Sequence, residues 1–455
     1  MDKTTGILAN YVTALTFDQL SPGALRELKR RLIDAIACGL GGYSSEPAEI
    51  ARRIAAENSG QPPARVLGTG SVTSMEMATF ANAVMVRYLD CNDTYVSKGS
   101  GHPSDMIPAC LAVADAYHAS GKDTLAAIAA AYEVYTGLAD VIGLRDRGWD
   151  QGVFVVLGSA AGAAKLLHLT SEQTADALAI AITGNVPTRQ TRSGELAMWK
   201  GVATAAAARA GVFAALLAQK GMTGPTAAFE GRHGVWEQVT GPFQLGKLGG
   251  AGVPFGVERC NLKFFPSEYH SQAPIWLALG LRSKVRVEDI EAISVETYYM
   301  AYSEIGSEPE KWEPKTRETA DHSLPYLLAV ALTDGTIKVD SFSEERIRDP
   351  RLRQLMQRIK VAENKEFTRE FPSKLISRIE VTTRSGQRLV ETASYPKGHS
   401  KNPMSDADID SKFADLSANL LAPGRRDALL RALWDVDQAP DIARVIDLIR
   451  VEGTQ

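Results

Sequence analysis

The segment Lys263-Phe-Phe-Pro-Ser-Glu-Tyr-His270 marks the point where the hydrophobic pattern changes period. On its N-terminal side apolar residues recur at helical spacing. Leu25, Leu28, Leu32 and Ile36 follow a Ser21-Pro22 cap and first-turn pair and precede Gly41-Gly42, which can close a helix. Buried, Ala-rich helices are predicted over 107–117, 125–138, 160–167 and 202–217, the last with Gly221 as its C-cap. So many small residues predict close helix–helix contact. On the C-terminal side, beyond Pro266, residues 293–299 alternate apolar and polar, and 379–383 runs through Arg384-Ser-Gly386 into 387–393 as a predicted hairpin. Between these strands lie two predicted helices, one within 320–332 and one placing Leu352, Leu355, Met356 and Ile359 on a single face.

From Ser405, an N-cap with Asp408 three residues on, Ile409, Phe413 and Leu416 return to helical spacing. This tail is expected to pack back on the first helices. The predicted fold is therefore mainly α with an α+β domain. Residues 1–266 and 395–455 form one large helical domain from both chain ends, and 267–394 form an inserted α+β lid. A chain of 455 residues is long enough for two cores.

A net charge of −4 and a hydrophobic fraction of 45% describe a folded chain with a buried core. Lys and Arg are interleaved with acids rather than gathered in runs, so no nucleic-acid partner is expected. The polar N-terminus Met1-Asp-Lys-Thr-Thr5 carries no secretory pattern, and the longest apolar tract, 201–217, is broken by Arg209. A soluble, cytoplasmic protein without membrane association is expected. Cys38, Cys91, Cys110 and Cys260 are scattered, without the spacing of a zinc or iron–sulfur site, and are read as reduced, mostly buried thiols. No Gly-x-Gly-x-x-Gly, P-loop, Gly-x-Ser-x-Gly or His-Glu-x-x-His occurs, and Gly68-Thr-Gly70 reads as a turn, so neither cofactor nor metal is expected.

Short polar clusters in apolar surroundings carry the functional reading. Tyr88-Leu-Asp90-Cys-Asn-Asp93-Thr94 is followed by a Gly-Ser-Gly loop and His102-Pro-Ser-Asp105. Pro103 cannot sit inside a helix, so His102 lies on a loop before the 107–117 helix, where Asp90 or Asp93 could orient it; equally, Ser104 or Asp105 could cap that helix with His102 packed nearby. Trp199-Lys200 stands at the entrance to an Ala-rich helix, where a lysine ordinarily reaches for water. Lys263 and His270 flank the domain change, and interdomain clefts are favoured ligand sites. In Asp321-His-Ser-Leu-Pro-Tyr326, Tyr326 could donate a proton, or Ser323 could cap a helix with Tyr326 in its core. The loop Tyr395-Pro-Lys-Gly-His-Ser-Lys-Asn-Pro403 reads as a solvated connection. His118 and His168 are placed in last helical turns, where they complement the dipole, and His233 on a surface loop.

These clusters supply His, Lys, Tyr and Asp but no metal set and no activated Ser or Cys. Such groups suit proton abstraction beside a carboxylate, with lysines binding carboxylates and stabilising the developing enediolate while His and Tyr move protons. Asp90-Cys-Asn-Asp-Thr94 with His102-Pro-Ser, Gly148-Trp-Asp150, Met198-Trp-Lys200-Gly, Gly221-Met-Thr-Gly-Pro225, Lys263-Phe-Phe-Pro266, the run from Arg317 to Tyr326, and Pro396-Lys-Gly-His399 together resemble the MmgE/PrpD family from the first helix to the tail. The resemblance implies a helical domain built from both chain ends, an α+β lid and a homodimer. It also implies a metal-independent 2-methylcitrate dehydratase, cis-aconitate decarboxylase or iminodisuccinate epimerase activity. The family's active-site pattern maps onto Asp90, Thr94, His102, Lys200, Lys263, His270 and Tyr326. Asp150, where the decarboxylases carry His, resembles the dehydratase branch.

The expectation is thus a hydro-lyase acting on a small polycarboxylate, converting 2-methylcitrate to 2-methylaconitate. His102, oriented by Asp90, is the principal proton-transfer group. Lys200 and Lys263, with Thr94, hold the substrate, and Tyr326 with His270 helps expel the hydroxyl. An epimerase or decarboxylase of a related di- or tricarboxylate is the alternative from the same chemistry. A silent ligand-binding protein that kept the scaffold is the alternative from another class.

Overall fold

In a computed structural model, which describes residues 1–451, helices fill the chain up to Gln219 and again after Ser405. Ser21 Oγ accepts from the Ala24 amide and Pro22 opens the helix Pro22–Gly41, as its sequence predicts. Further helices run over Met75–Tyr88, Ile107–Ala116, Gly121–Val141, Gly152–Leu166 and Ala203–Gln219. The last three form the centre, with Gly152–Leu166 packed against both others. Small residues set that spacing: a methyl group on Gly211 would lie 2.5 Å from the Val156 carbonyl oxygen.

The tail returns to this core. Ser405 and Asp408 form a capping box at the start of helix Asp406–Ser417, which packs on Pro22–Gly41, and Ile409, Phe413, Leu429 and Leu433 join the same apolar cluster as Leu28 and Leu32. The mainly helical class with an α+β part is as predicted.

A second apolar cluster gathers residues from Phe265 to Val381. It lies under a four-stranded sheet ordered Ile359–Glu363, Ile290–Thr297, Ser377–Thr383, Arg388–Ala393. The first pair is parallel and the other two are antiparallel, with the predicted hairpin turning at Arg384-Ser-Gly386. Helices Gln272–Arg282 and Leu324–Asp334 pack against each other in this cluster. Ile359 departs from expectation. Its helix ends at Met356, and Ile359 opens the parallel edge strand, where only Ile359 of five residues is fully buried. An edge strand this short has too little alternation to show a period of two.

His118 and His168 also differ. Their helices end at Ala116 and Leu166, and both histidines take φ near 52°, a left-handed closing position that glycine usually fills. The four cysteines are buried and free. No helix among the described residues is long and apolar enough to cross a membrane.

Candidate active site

The chain leaves helix Met75–Tyr88 through Asp90, whose φ of 51° is a conformation aspartate tolerates better than most residues. This reversal folds the Asp90 carboxylate back on Arg87, whose Nη1 donates to Oδ1 at 2.7 Å. Lys200 Nζ donates to Oδ2 at 2.9 Å, and Lys263 Nζ donates to both Oδ1 and the Asp90 carbonyl. All four side chains are buried. Burial opposes ionisation, but the Arg87, Lys200 and Lys263 charges outweigh it and hold Asp90 well below the carboxylate range.

Beyond Asp90, Asp93 fixes the loop by accepting from the Ser104 amide at 2.8 Å and from the Tyr132 hydroxyl at 2.7 Å. Two-residue strands Tyr95–Val96 and Ser100–Gly101 then bring the chain back to His102. Gly101 is required at this point, since a methyl group there would overlap Gln151 Oε1 and the Tyr135 hydroxyl. Gln151 in turn accepts from the His102 amide at 2.6 Å. Neither Ser104 nor Asp105 caps the following helix: Asp105 accepts from Asn92, and a 3₁₀ turn over Pro103–Met106 leads into Ile107.

His102 Nδ1 lies 2.6 Å from the Asp93 carbonyl oxygen. A carbonyl can only accept, so Nδ1 carries the proton and Nε2 a free lone pair, 3.8 Å from Asp90 Oδ1. It is therefore the Asp93 backbone that orients the ring, and Asp90 faces its other nitrogen. Burial, then the Arg87 and Lys263 charges, push the imidazole well below its ordinary pKa, so it is neutral at neutral pH.

His102 opens onto a cavity of about 610 Å³. Asp90, Thr94, Lys263 and His270 also line it, so five of the seven predicted residues meet there. Thr94 pairs with Asn261 through the backbone, which sets the Lys263 segment beside it, and its Oγ1 donates to the Gly101 carbonyl at 3.0 Å. His270 Nδ1 is 2.6 Å from the Tyr298 hydroxyl, and burial lowers its pKa to about 4. The tail contributes from behind: Lys412 Nζ donates to Asp34 and to the carbonyls of Cys91 and Lys263.

Two predicted residues stand elsewhere. Lys200 is not on the cavity wall; it lies behind Asp90, also 3.6 Å from Asp321 Oδ1. Tyr326 is in the second apolar cluster, where its hydroxyl donates to the Ser341 carbonyl at 2.6 Å, while Ser323 caps its helix. The apolar packing of helix Leu324–Asp334 fixes the ring away from the cavity. Tyr326→Phe is accordingly expected to leave kcat within about twofold while lowering stability by about 1 kcal/mol, which turnover and urea titration check together.

Sequence reading passed over several wall residues. His322 Nδ1 faces Asp321, and its Nε2 lies 3.5 Å from Asp90 Oδ2. It precedes the Ser323 cap just as His102 precedes Pro103, so both histidines stand just ahead of a buried helix. Arg145, Arg189 and Arg192 line the outer wall, the first two paired with Glu304 and the third with Asp150 at 2.6 Å. Arg189 and Arg192 come from a stretch without helical spacing, where the chain has no period to show which way they point. Among the described residues six cations and five acids line the cavity, and the Lys200 charge stands just behind, so the site is suited to an anion.

Asp90, Asp321 and His322 bring ligand atoms within 4.8 Å of one another, a spacing a metal ion could use. Both carboxylates are already neutralised there, by Arg87, Lys200 and Lys263 on one side and by Lys200 and Arg317 on the other. An added dication would sit against these fixed positive charges.

Comparison with known proteins adds the lineage. The 2-methylcitrate dehydratase of Cupriavidus necator is 28% identical over 461 residues, 94% of this chain and 93% of that enzyme. The mitochondrial 2-methylcitrate dehydratase of Yarrowia lipolytica is 28% identical over 426 residues, 88% and 80% respectively. The cis-aconitate decarboxylase of Homo sapiens is 24% identical over 467 residues, 99% and 95%. The MmgE/PrpD N-terminal domain matches residues 6–247 and the MmgE/PrpD C-terminal domain residues 265–436, so the helical core and the sheet-bearing part align in order and the chain belongs to the MmgE/PrpD family.

Proposed function

We propose that this protein is a hydro-lyase that dehydrates 2-methylcitrate to 2-methylaconitate without a metal ion. The observation that carries the reading is the free Nε2 lone pair of His102, held neutral in a cavity of net positive character. His102 takes the proton from the carbon beside a carboxylate, and Lys263 stabilises the negative charge that then spreads onto that carboxylate. Lys200, behind Asp90, acts as a positioning residue that fixes the carboxylate holding Lys263. Arg145, Arg189 and Arg192 are placed to receive the remaining carboxylates, and Thr94 offers its oxygen beside His102. Residues 267–394 act as the lid that carries His270, Glu304 and His322 over the helical part. Metal independence is supported by the cations that already neutralise Asp90 and Asp321.

The base must be unprotonated to act. Because burial lowers the His102 pKa well below 6.5, kcat is expected to hold as pH falls through the ordinary imidazole range and to drop only below it. A kcat profile with an acid limb centred at 6.5 would contradict a neutral, buried His102.

The decisive experiment incubates metal-stripped protein with 2-methylcitrate, citrate, cis-aconitate and iminodisuccinate in D₂O and follows each by proton NMR. Loss of water from 2-methylcitrate is expected. Loss of CO₂ from cis-aconitate would favour the decarboxylase alternative, and deuterium uptake without loss of either would favour the epimerase. Binding without turnover of any of the four would leave a silent binding protein. Activity abolished by EDTA and restored by a metal ion would overturn the metal-free claim.

A further inference from the structure

Among the described residues five acids line the cavity: Asp90, Asp140, Asp150, Glu268 and Glu304. Four of them are paired with lysine or arginine, Asp140 with Arg259 at 2.9 Å and the others as described. Glu268 has no such partner among the described residues. Its Oε2 accepts from the His270 amide at 2.6 Å, and its Oε1 lies 3.9 Å from His270 Nε2. A buried carboxyl without a counter-charge holds its proton to higher pH than a paired one. The neighbouring Tyr269 is also on the wall, and its buried hydroxyl has no hydrogen-bond partner among the described residues.

We propose that Glu268 is the acid that protonates the departing hydroxyl. This rests on the dehydratase reading above and supplies what that reading lost when Tyr326 proved to be in the core. In the step, the C–H bond beside the carboxylate breaks and its proton goes to His102 Nε2. The C–H electron pair becomes the new C=C bond, the C–O bond breaks with its pair on oxygen, and the Glu268 proton completes a water molecule. The His102 imidazolium then loses its proton to solvent and Glu268 regains one, so the cycle balances. His270 is the weaker candidate, because a ring whose pKa lies at about 4 is neutral at neutral pH and gives up a proton poorly.

The charges facing Glu268 come from several elements. Burial raises its pKa to about 7; His322 and Lys263 oppose that rise, and Glu304 and Asp90 add to it. Tyr269 and Tyr298 lie close enough to feel its charge. The protonated form is the active one, so activity falls as pH rises through about 7, giving an alkaline limb opposite the acid limb of His102.

The test compares wild type and Glu268→Gln on 2-methylcitrate and on the analogue carrying chlorine in place of the departing hydroxyl, since chloride leaves without a proton. On the hydroxy acid, kcat is expected to fall about 100-fold or more with KM little changed, and the alkaline limb to disappear. On the chloro acid the variant is expected to match wild type. Equal losses on both substrates would mean Glu268 only shapes the cavity, and no loss on either would mean another group is the acid; each overturns the assignment. If wild type eliminates water from none of the hydroxy acids tested, the dehydratase reading falls and the acid assignment with it.

Discussion

Replacing His102 by asparagine is expected to lower kcat on 2-methylcitrate by about 10²–10⁴-fold while leaving the fold intact. Asparagine fills similar space beside Gln151 and the Asp93 carbonyl, and its amide can still donate to that carbonyl. What it cannot supply is a basic nitrogen where Nε2 faces the cavity. Thermal unfolding within a few degrees of wild type, together with the loss of turnover, would assign the effect to chemistry. A variant of near wild-type rate would remove His102 from the mechanism. Solvent deuterium exchange at the substrate carbon is the sharper readout, because it reports deprotonation alone: His102→Asn should lose it.

Removing the carboxylate of Asp90 is expected to be the most damaging change to the fold. In Asp90→Ala, the cations of Arg87, Lys200 and Lys263 keep their buried positions and lose the group that neutralises them. Leaving buried charge unpaired costs about 3–5 kcal/mol, a large part of the 5–15 kcal/mol typical of a folded domain. Alanine is also strained at a φ of 51°, where aspartate is tolerated. Urea titration at pH 7 measures the loss. The sign with pH follows from the lowered pKa: ionised Asp90 stabilises the fold above its ordinary value of 3.8, and this contribution disappears as pH falls below it. The gap between wild type and Asp90→Ala should therefore be constant from pH 6 to 8 and narrow only in strong acid. A variant as stable as wild type would mean the three cations find other partners or water.

Much of the fold was legible because its elements are long or strongly patterned. Ser21-Pro22, Leu28 and Leu32 announced a helix, and Ser405 with Asp408 announced the return of the tail. The strand Ile359–Glu363 was not legible, since one buried residue in five carries no period. In the site, Asp90, His102, Lys263 and His270 could be found because each stands in a polar cluster beside an apolar element, whereas Thr94 was marked only by the family resemblance. Arg189 and Arg192 could not, because they lie in a stretch with no regular spacing and act only through the cavity they face.

By itself the sequence determined which residues are polar islands in an apolar chain, where helices begin and end, and that His102 stands on a loop ahead of a buried helix. These are local properties, set by side-chain period, capping and the geometry of proline. Only the tertiary structure decided that the Asp93 carbonyl, and not an aspartate carboxylate, fixes the His102 tautomer. It also decided that Tyr326 is core, that His322 is wall, and that among the described residues Glu268 alone of the cavity acids lacks a lysine or arginine. The contacts that settle these points meet across 9 to more than 200 residues of chain, as Lys200 and Asp90 do at a separation of 110. Charge and hydrogen-bond balance in a buried site is a sum over such distant neighbours, and no local window of sequence contains its terms.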